Sequence, residues 1–314
     1  MADAPKLSII VVSWNTKELL RACLRSLENA PARFATELLV IDNGSTDGSP
    51  EAVLGEFPHV RLLRNGANLG FAAANNQGIR ASSGHYVLLL NSDTLVREQG
   101  IFDEWVGFMD EHPEVAVSGC RLTWPDGSHQ VGDAGHRPSL GTVFIHAFFL
   151  SRLAPWRLRG LFAVGVGPGP PREVDWVSGA ALLARRSALD VAGLLDERFF
   201  MYAEDVEWCC RMRSLEYEVA YLPGLSIVHL QGGSAAPGRG VGLRWLQSLQ
   251  RLYVSYHPRE PRLLFQVVLA AGFLLRAGLY TVPGFVLRDS HARDRLRRML
   301  AYLRFLATSA GPRI

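Results

Sequence analysis

The sequence predicts an α/β fold, a mostly parallel sheet flanked by helices, followed by a helical C-terminal appendage. Three observations carry that expectation. Apolar, β-branched runs alternate with segments of helical period through the N-terminal part of the chain. One run, Tyr86-Val87-Leu88-Leu89-Leu90, breaks off into Asn91-Ser92-Asp93-Thr94, as a strand buried on both faces does when it releases polar side chains at its carboxyl end. Charge is also divided unevenly. Residues 239–314 hold 13 arginines and 3 acids, whereas the preceding 238 residues hold 20 basic and 27 acidic residues.

Composition supports a folded chain with a sizeable core, since 48% of the 314 residues are hydrophobic and 20% charged. Cys23, Cys120, Cys209 and Cys210 lack metal-ligand spacing, which suits a reducing compartment. The first residues lack the basic-then-apolar layout of a signal peptide, so the expected location is the cytoplasm.

In order, residues 7–12 read as a strand, and Asn15 or Thr16 caps a helix over 17–29 whose Leu20, Cys23, Leu24 and Leu27 share a face. A strand at 37–41 ends at Asp42-Asn43-Gly44-Ser45-Thr46-Asp47-Gly48, a loop of turn formers with free N–H groups. A helix over 50–56 and a strand at 60–64 complete a doubly wound alternation. Asn68-Leu69-Gly70 then opens a small-residue helix, chosen either for close approach to an anionic ligand or for alanine's propensity. The strand at 86–90 follows, and open α/β sheets bind ligands at such strand ends. Asp93 can hold a divalent cation there, or cap a helix starting near Leu95.

A helix over 100–111, a strand at 115–119 and a hairpin over 121–130 turning at Pro125-Asp126-Gly127 come next. Between 132 and 171 the pattern loosens into a flexible segment suited to a lid, and Gly165-Val166-Gly167-Pro168-Gly169 only superficially matches a dinucleotide loop. After a strand at 173–177, Ser178-Gly179-Ala180 switches from polar to small, a surface for a second substrate. Phe199-Phe200-Met201-Tyr202 delivers Glu204-Asp205 to a helix start, as dipole partners or as a base near aromatic side chains. A strand at 225–230 carries His229, structural unless a carboxylate stands nearby, and leads to Gln231-Gly232-Gly233-Ser234.

In the tail, residues 263–287 are nearly all apolar and long enough to span a bilayer, but Arg276 opposes that. Residues 291–307 place Leu296, Met299, Leu300, Leu303 and Leu306 opposite arginines, the pattern of a helix in a membrane interface. The competing reading packs these helices on their own domain or on a second subunit, a homodimer through the tail. Nucleic acid is not expected, because the arginines accompany an apolar face rather than stacking aromatics.

Six segments in one order resemble the family 2 glycosyltransferases, in the branch with bacterial rhamnosyltransferases. They are Val11-Val12-Ser13-Trp14-Asn15, Val40-Ile41-Asp42-Asn43-Gly44-Ser45-Thr46-Asp47-Gly48, Asn68-Leu69-Gly70-Phe71-Ala72, Leu90-Asn91-Ser92-Asp93, Trp176-Val177-Ser178-Gly179-Ala180 and Phe200-Met201-Tyr202-Ala203-Glu204-Asp205. The resemblance covers residues 6–235. It implies a GT-A fold over residues 1–238, with 239–314 as the basic appendage. It also implies a nucleoside-diphosphate sugar donor, Mg2+ or Mn2+, and inversion at the anomeric carbon.

Residue by residue, the resemblance puts Asp42 on the pyrimidine base and Ser13, Asn15 and Asn68 in nucleotide-contacting loops. Asn91-Ser92-Asp93 stands in place of an Asp-x-Asp motif whose first acid is absent, leaving Asp93 as metal carboxylate with His229 as a second ligand. Trp176 and Gly179 fall where an acceptor would bind, and Asp205, with Glu204 as the close alternative, matches the general base. The expected donor is dTDP-rhamnose or a similar deoxysugar, with a UDP-sugar as alternative. The expected acceptor is a glycan or lipid-linked glycan at the inner membrane face, which residues 239–314 would touch peripherally. A nucleotidyltransferase would need a basic phosphate-gripping loop, and the only lysines are Lys6 and Lys17. A non-catalytic sugar-nucleotide scaffold is the remaining alternative.

Overall fold

A computed structural model describes residues 4–154, 157–230, 243–283 and 289–308. The first half follows the expected alternation: β1 (Leu7–Ser13), α1 (Lys17–Asn29), β2 (Thr36–Asp42), α2 (Ser49–Glu56), β3 (Arg61–Arg64), α3 (Phe71–Ala81) and β4 (Tyr86–Asn91). Next come β5 (Thr94–Leu95), α4 (Ile101–Glu111), β6 (Val115–Thr123), β7 (Ala134–Gly135) and α5 (Leu140–Ala147). β8 (Arg172–Glu173), β9 (Trp176–Val177), β10 (Ala181–Arg185), α6 (Arg186–Ala192), α7 (Glu204–Ser214) and β11 (Glu218–His229) complete the sheet region. The chain ends in α8 (Leu243–Tyr256), α9 (Arg262–Thr281) and α10 (Ser290–Thr308).

The main sheet runs β3-β2-β1-β4-β10-β6-β11-β5, with β8 added on β11. β1, β2, β3 and β4 are mutually parallel, β10 is antiparallel to β4 and β6, and β11 is parallel to β6. Register aligns Ser13 with Asp42 and Val12 with Asn91, so these polar termini reach one edge. β10 starts at that edge, with Ala181 opposite Leu90, and β11 ends there at His229. The chain reverses its winding between β1 and β4, and such a switch point opens a crevice at the carboxyl ends of the strands.

Leu88, Leu90, Val11 and Ile9 share a core with Leu20, Leu24, Trp105 and Met109 beneath the helices. Trp105 meets its one polar need by donating from Nε1 to Ser118 Oγ at 2.8 Å. All four cysteines are buried, and none forms a disulfide.

Three local expectations change. Asp93 is followed by β5, and the next helix starts only at Ile101, so Asp93 does not cap a helix. Residues 181–185 form a central strand, although Ala-Leu-Leu-Ala lacks the β-branched signal; pairing on both sides overrides weak propensity. The described part of residues 132–171 is also less irregular than expected, because it contains β7 and α5.

The chain divides into two compact units, one of residues 1–135 with 165–240 and the other of residues 136–164 with 241–314. The helical unit therefore includes a segment that the sequence pattern had joined to the sheet domain. Val143 and Leu161 pack with Leu246, Tyr253, Phe265, Phe273, Met299 and Tyr302. Tyr253 stacks on Phe265 with ring centroids 3.9 Å apart. Arg276 of α9 donates to Ala147 O at 2.7 Å and His146 O at 2.8 Å, two carbonyls at the end of α5. Leu296, Met299 and Leu306, expected on a membrane-facing surface, are buried in this core instead. The apolar stretch at 263–287 becomes α9 up to Thr281, and residues 284–287 of it lie outside the described residues, as does Gln231-Gly232-Gly233-Ser234.

Candidate active site

At the carboxyl edge of the sheet, a hydroxyl chain joins β1 to β4. Ser13 Oγ lies 2.9 Å from Thr16 Oγ1, which lies 3.1 Å from Ser92 Oγ. Ser13 is buried, so its hydroxyl braces the switch point. Asn15 adopts φ 52°, which asparagine tolerates. Its Oδ1 accepts from Thr46 N at 2.8 Å, tying the loop after β1 to the loop after β2.

Asp42 is 2% exposed and accepts from Ser45 N through Oδ2 at 3.1 Å, while Oδ1 has no partner among the described residues. A buried acceptor left open in this way needs a donor, and a base edge with an N–H group would supply one. The neighbouring Asn43, which the sequence reading passed over, clasps the next loop. Its Nδ2 donates to Asn68 Oδ1 at 3.0 Å and Gly70 O at 3.1 Å, and its Oδ1 accepts from Leu69 N at 3.1 Å. Asn68 thus sits at the edge through side-chain bonds from Asn43.

Gly70 shows why this loop carries glycine. Its φ is +88°, and a Cβ there would lie 2.5 Å from Phe200 O. Phe71 N donates to that same carbonyl at 2.8 Å, which draws the Phe200–Asp205 segment against the start of α3. Tyr202 and Ala203 then take φ 72° and 69°, consecutive left-handed residues that cost about 1–3 kcal/mol each. That strain aims Glu204 and Asp205 at the sheet edge.

The two carboxylates differ in surroundings. Asp205 is half-buried; its Oδ2 accepts from Gly179 N at 2.9 Å and its Oδ1 from Val206 N at 2.8 Å. Burial raises its carboxyl above the ordinary value, and these two N–H donors oppose that rise. Glu204 is 4% exposed and its Oε2 has no partner among the described residues. Burial first, and then the charge of Asp205, pushes its carboxyl up to about 8. Of the pair, Glu204 is pushed toward its protonated form, while the two N–H donors on Asp205 favour its charged form. Gly179, expected at the acceptor, supplies the N–H that holds Asp205, and Phe71 packs 3.1 Å from where its Cβ would be. Trp176, also expected at the acceptor, is 5% exposed in β9 and offers no open platform.

Asn91 connects this group to the end of β11. Its N donates to Ala180 O at 3.0 Å, and its Nδ2 lies 3.3 Å from His229 Nε2. His229 Nε2 is also 3.2 Å from Asp93 Oδ1, and both residues are buried. Gln130, which the sequence reading did not single out, sets the ring. Its Nε2 donates to His229 O at 3.0 Å, so its Oε1 faces Nδ1 at 2.6 Å and accepts the proton there. With Nδ1 donating to Gln130, Nε2 is the ring nitrogen that faces the Asp93 carboxylate and the Asn91 amide. Two electron-pair donors side by side suit a cation between them, and a histidine whose other nitrogen donates is the usual form of such a ligand. Among the described residues no cluster of three or more His, Cys, Asp or Glu side chains could hold a metal.

A hollow of about 740 Å³ at the opposite edge is lined by Lys6, His85, Tyr86, Asp110 and Arg186. Of its two carboxylates, Asp110 and Asp190, the first accepts from Lys6 Nζ at 2.5 Å and Tyr86 OH at 2.8 Å.

Solved structures of nucleotide-sugar enzymes share the fold. A mannosyltransferase from Pyrobaculum calidifontis in complex with GDP-Man and Mn2+ aligns over 98% of this chain and 87% of its own, with TM-score 0.62 and 17% identity. S. aureus TarS 1-349 in complex with UDP-GlcNAc aligns over 96% of this chain and 81% of its own, with TM-score 0.54 and 15% identity. The architecture is accordingly that of the GT-A glycosyltransferases.

The family model for glycosyl transferase family 2 matches residues 8–162. An N-acetylglucosaminyl-diphospho-decaprenol L-rhamnosyltransferase of Mycobacterium tuberculosis is 33% identical over 239 residues, 71% of this chain and 75% of that protein. An O-antigen biosynthesis protein of Myxococcus xanthus is 29% identical over 238 residues, 73% of this chain and 18% of that protein. The chain belongs to glycosyl transferase family 2 and is a glycosyltransferase.

Proposed function

We propose that the protein transfers a deoxyhexose, with L-rhamnose from dTDP-rhamnose as the leading donor, to a hydroxyl of a lipid-linked glycan, with inversion. The observation that carries the reading is the asymmetry at the start of α7. Asp205 accepts from Gly179 N–H and Val206 N–H, which favour its charged form, beside a buried Glu204 whose carboxyl is pushed up to about 8. The M. tuberculosis relative's name supports the sugar and a diphosphate-lipid acceptor. A UDP-sugar remains the alternative donor.

The mechanism follows from the placement of these groups. Asp42 receives an N–H from the base through its open Oδ1, and the Asn43–Asn68 clasp holds the nucleotide loop. Asp93 and His229 would hold Mg2+ or Mn2+, which supplies positive charge to the leaving diphosphate. Asn91 and Gln130 fix the His229 ring for that task. Asp205 takes the proton of the acceptor hydroxyl as its oxygen bonds to the anomeric carbon. The carbon–oxygen bond to the diphosphate breaks on the opposite face, and its electron pair leaves with the diphosphate. One displacement gives one inversion. In the cell the acceptor's lipid brings the protein to the inner membrane face.

The testing experiment is nucleoside-diphosphate release from a panel of dTDP-, UDP- and GDP-sugars, with and without Mn2+ or Mg2+, using a polyprenyl-diphosphate N-acetylglucosamine acceptor. Selective, divalent-dependent release with dTDP-rhamnose supports the reading. Release with none of the donors, and no thermal shift with any, makes the protein a scaffold.

A further inference from the structure

α9 is apolar on both sides, an arrangement that ordinarily requires cover on both. Its inner side, with Phe265, Leu269, Phe273 and Ala277, is buried in the helical unit. Its outer side carries Leu263, Val267, Leu274, Leu275 and Leu279, which are 40–68% exposed. No Asp, Glu, Lys or Arg stands among the exposed positions of α9. At 20 residues the helix is about 30 Å long, so this strip is far more than scattered surface leucines.

The surrounding charge identifies what covers it. Residues 136–164 and 241–314 together hold 16 arginines and 3 acids, a net +13, which leaves the sheet unit at −10. The asymmetry is thus greater than the tail alone shows, because Arg137, Arg152, Arg157 and Arg159 join the basic unit. Arg293, Arg297, Arg298 and Arg304 of α10 are exposed, as is Arg259 before α9. A second copy would set +13 against +13, whereas an anionic lipid surface meets both the apolar strip and the arginines.

α9 has the length and composition to cross a membrane. Crossing would take Arg276 from the Ala147 and His146 carbonyls into hydrocarbon. Lying in the interface keeps those bonds and buries only the outer strip.

We propose that the outer face of α9 lies in the plane of an anionic bilayer surface, flanked by the arginines of its unit. The inference deepens the lipid-linked acceptor reading, yet it concerns lipid vesicles that contain no sugar.

The test is flotation of the full-length protein with vesicles of phosphatidylcholine alone or mixed equally with phosphatidylglycerol. Wild type is expected to float with the anionic vesicles and to lose binding at high salt. Val267→Glu combined with Leu274→Glu, both on exposed positions, should lower that partitioning about tenfold or more, with unchanged circular dichroism and melting. Arg293→Glu with Arg297→Glu should remove the preference for phosphatidylglycerol. Wild type that fails to float, or a double glutamate variant that floats equally well, overturns the proposal. So does sedimentation showing a wild-type dimer that V267E/L274E splits while neither form binds vesicles. An enzyme inactive with every donor would still float, so failure of the catalytic reading is separable from failure of this one.

Discussion

His229 Nε2 lies 3.2 Å from Asp93 Oδ1, although 136 positions separate the residues in sequence. The contact arises because β5 pairs antiparallel with the end of β11, His229 opposite Thr94, and Leu230 N donates to Asp93 O at 2.8 Å. Asp93→Ala should therefore weaken donor binding only in the presence of Mn2+ or Mg2+. Titration calorimetry with the nucleoside diphosphate, with and without the ion, measures this. Equal binding by both proteins under both conditions would remove Asp93 from the metal role.

Gln130 should control the His229 tautomer. In wild type the ring nitrogen spectrum is expected to show a protonated Nδ1, because Gln130 Oε1 can only accept from it. Gln130→Ala should yield mixed tautomers and weaken Mn2+-dependent nucleotide binding about 10–100-fold, as loss of a ligand's outer hydrogen bond does elsewhere. Nitrogen-15 NMR of labelled histidine reads the tautomer without metal, and an unchanged spectrum would contradict the assignment.

Asp205→Asn should lower transfer about a hundredfold to ten-thousandfold while leaving nucleotide affinity within a small factor of wild type. Wild-type kcat/KM should fall on the acid side with a midpoint above 3.8, since burial raises the Asp205 carboxyl and the base works only when ionised. Equal loss of transfer and nucleotide binding in the variant would assign Asp205 to the donor instead.

Glu204 carries a stability signature of opposite sign to a salt-bridged acid. Its folded value of about 8 stands above the ordinary 4.5, so its stabilising contribution is full below 4.5 and is lost as pH rises through about 8. Glu204→Gln, which mimics the protonated acid, should flatten the stability profile across that window. The slope removed is at most about 1.4 kcal/mol per pH unit. Denaturant melts between those limits test it, and parallel profiles would place the proton elsewhere.

Gly70→Ala should destabilise the sheet unit by about 1–3 kcal/mol and impair transfer as well, because its φ of +88° and the Phe200 carbonyl both exclude a methyl group. Gly55, with nothing within 4 Å of its Cβ position, is the control, and its replacement by alanine should be neutral or slightly stabilising. Similar melting of the two variants would show that the Gly70–Phe200 approach is not tight in solution.

Local pattern determined much of this protein. The β1-to-β4 alternation, the strand-end placement of Asp42 and Asn91, and the acidic pair opening α7 all follow from residues near in sequence, because period and turn chemistry act over a few positions. The resemblance of six ordered segments then named the family. Only the tertiary structure decided how the groups act on one another. β10 is a central strand because β4 and β6 pair with it, not because Ala-Leu-Leu-Ala prefers that state. Gly179 is 26 residues from Asp205, and Gln130 is 99 residues from His229, so neither bond has a local signature. Which carboxyl keeps its proton depends on burial and on N–H donors from other elements. Which helix face meets solvent depends on what else packs there: the apolar side of α10 and the inner side of α9 are covered by their own unit, while the outer apolar side of α9 is left open.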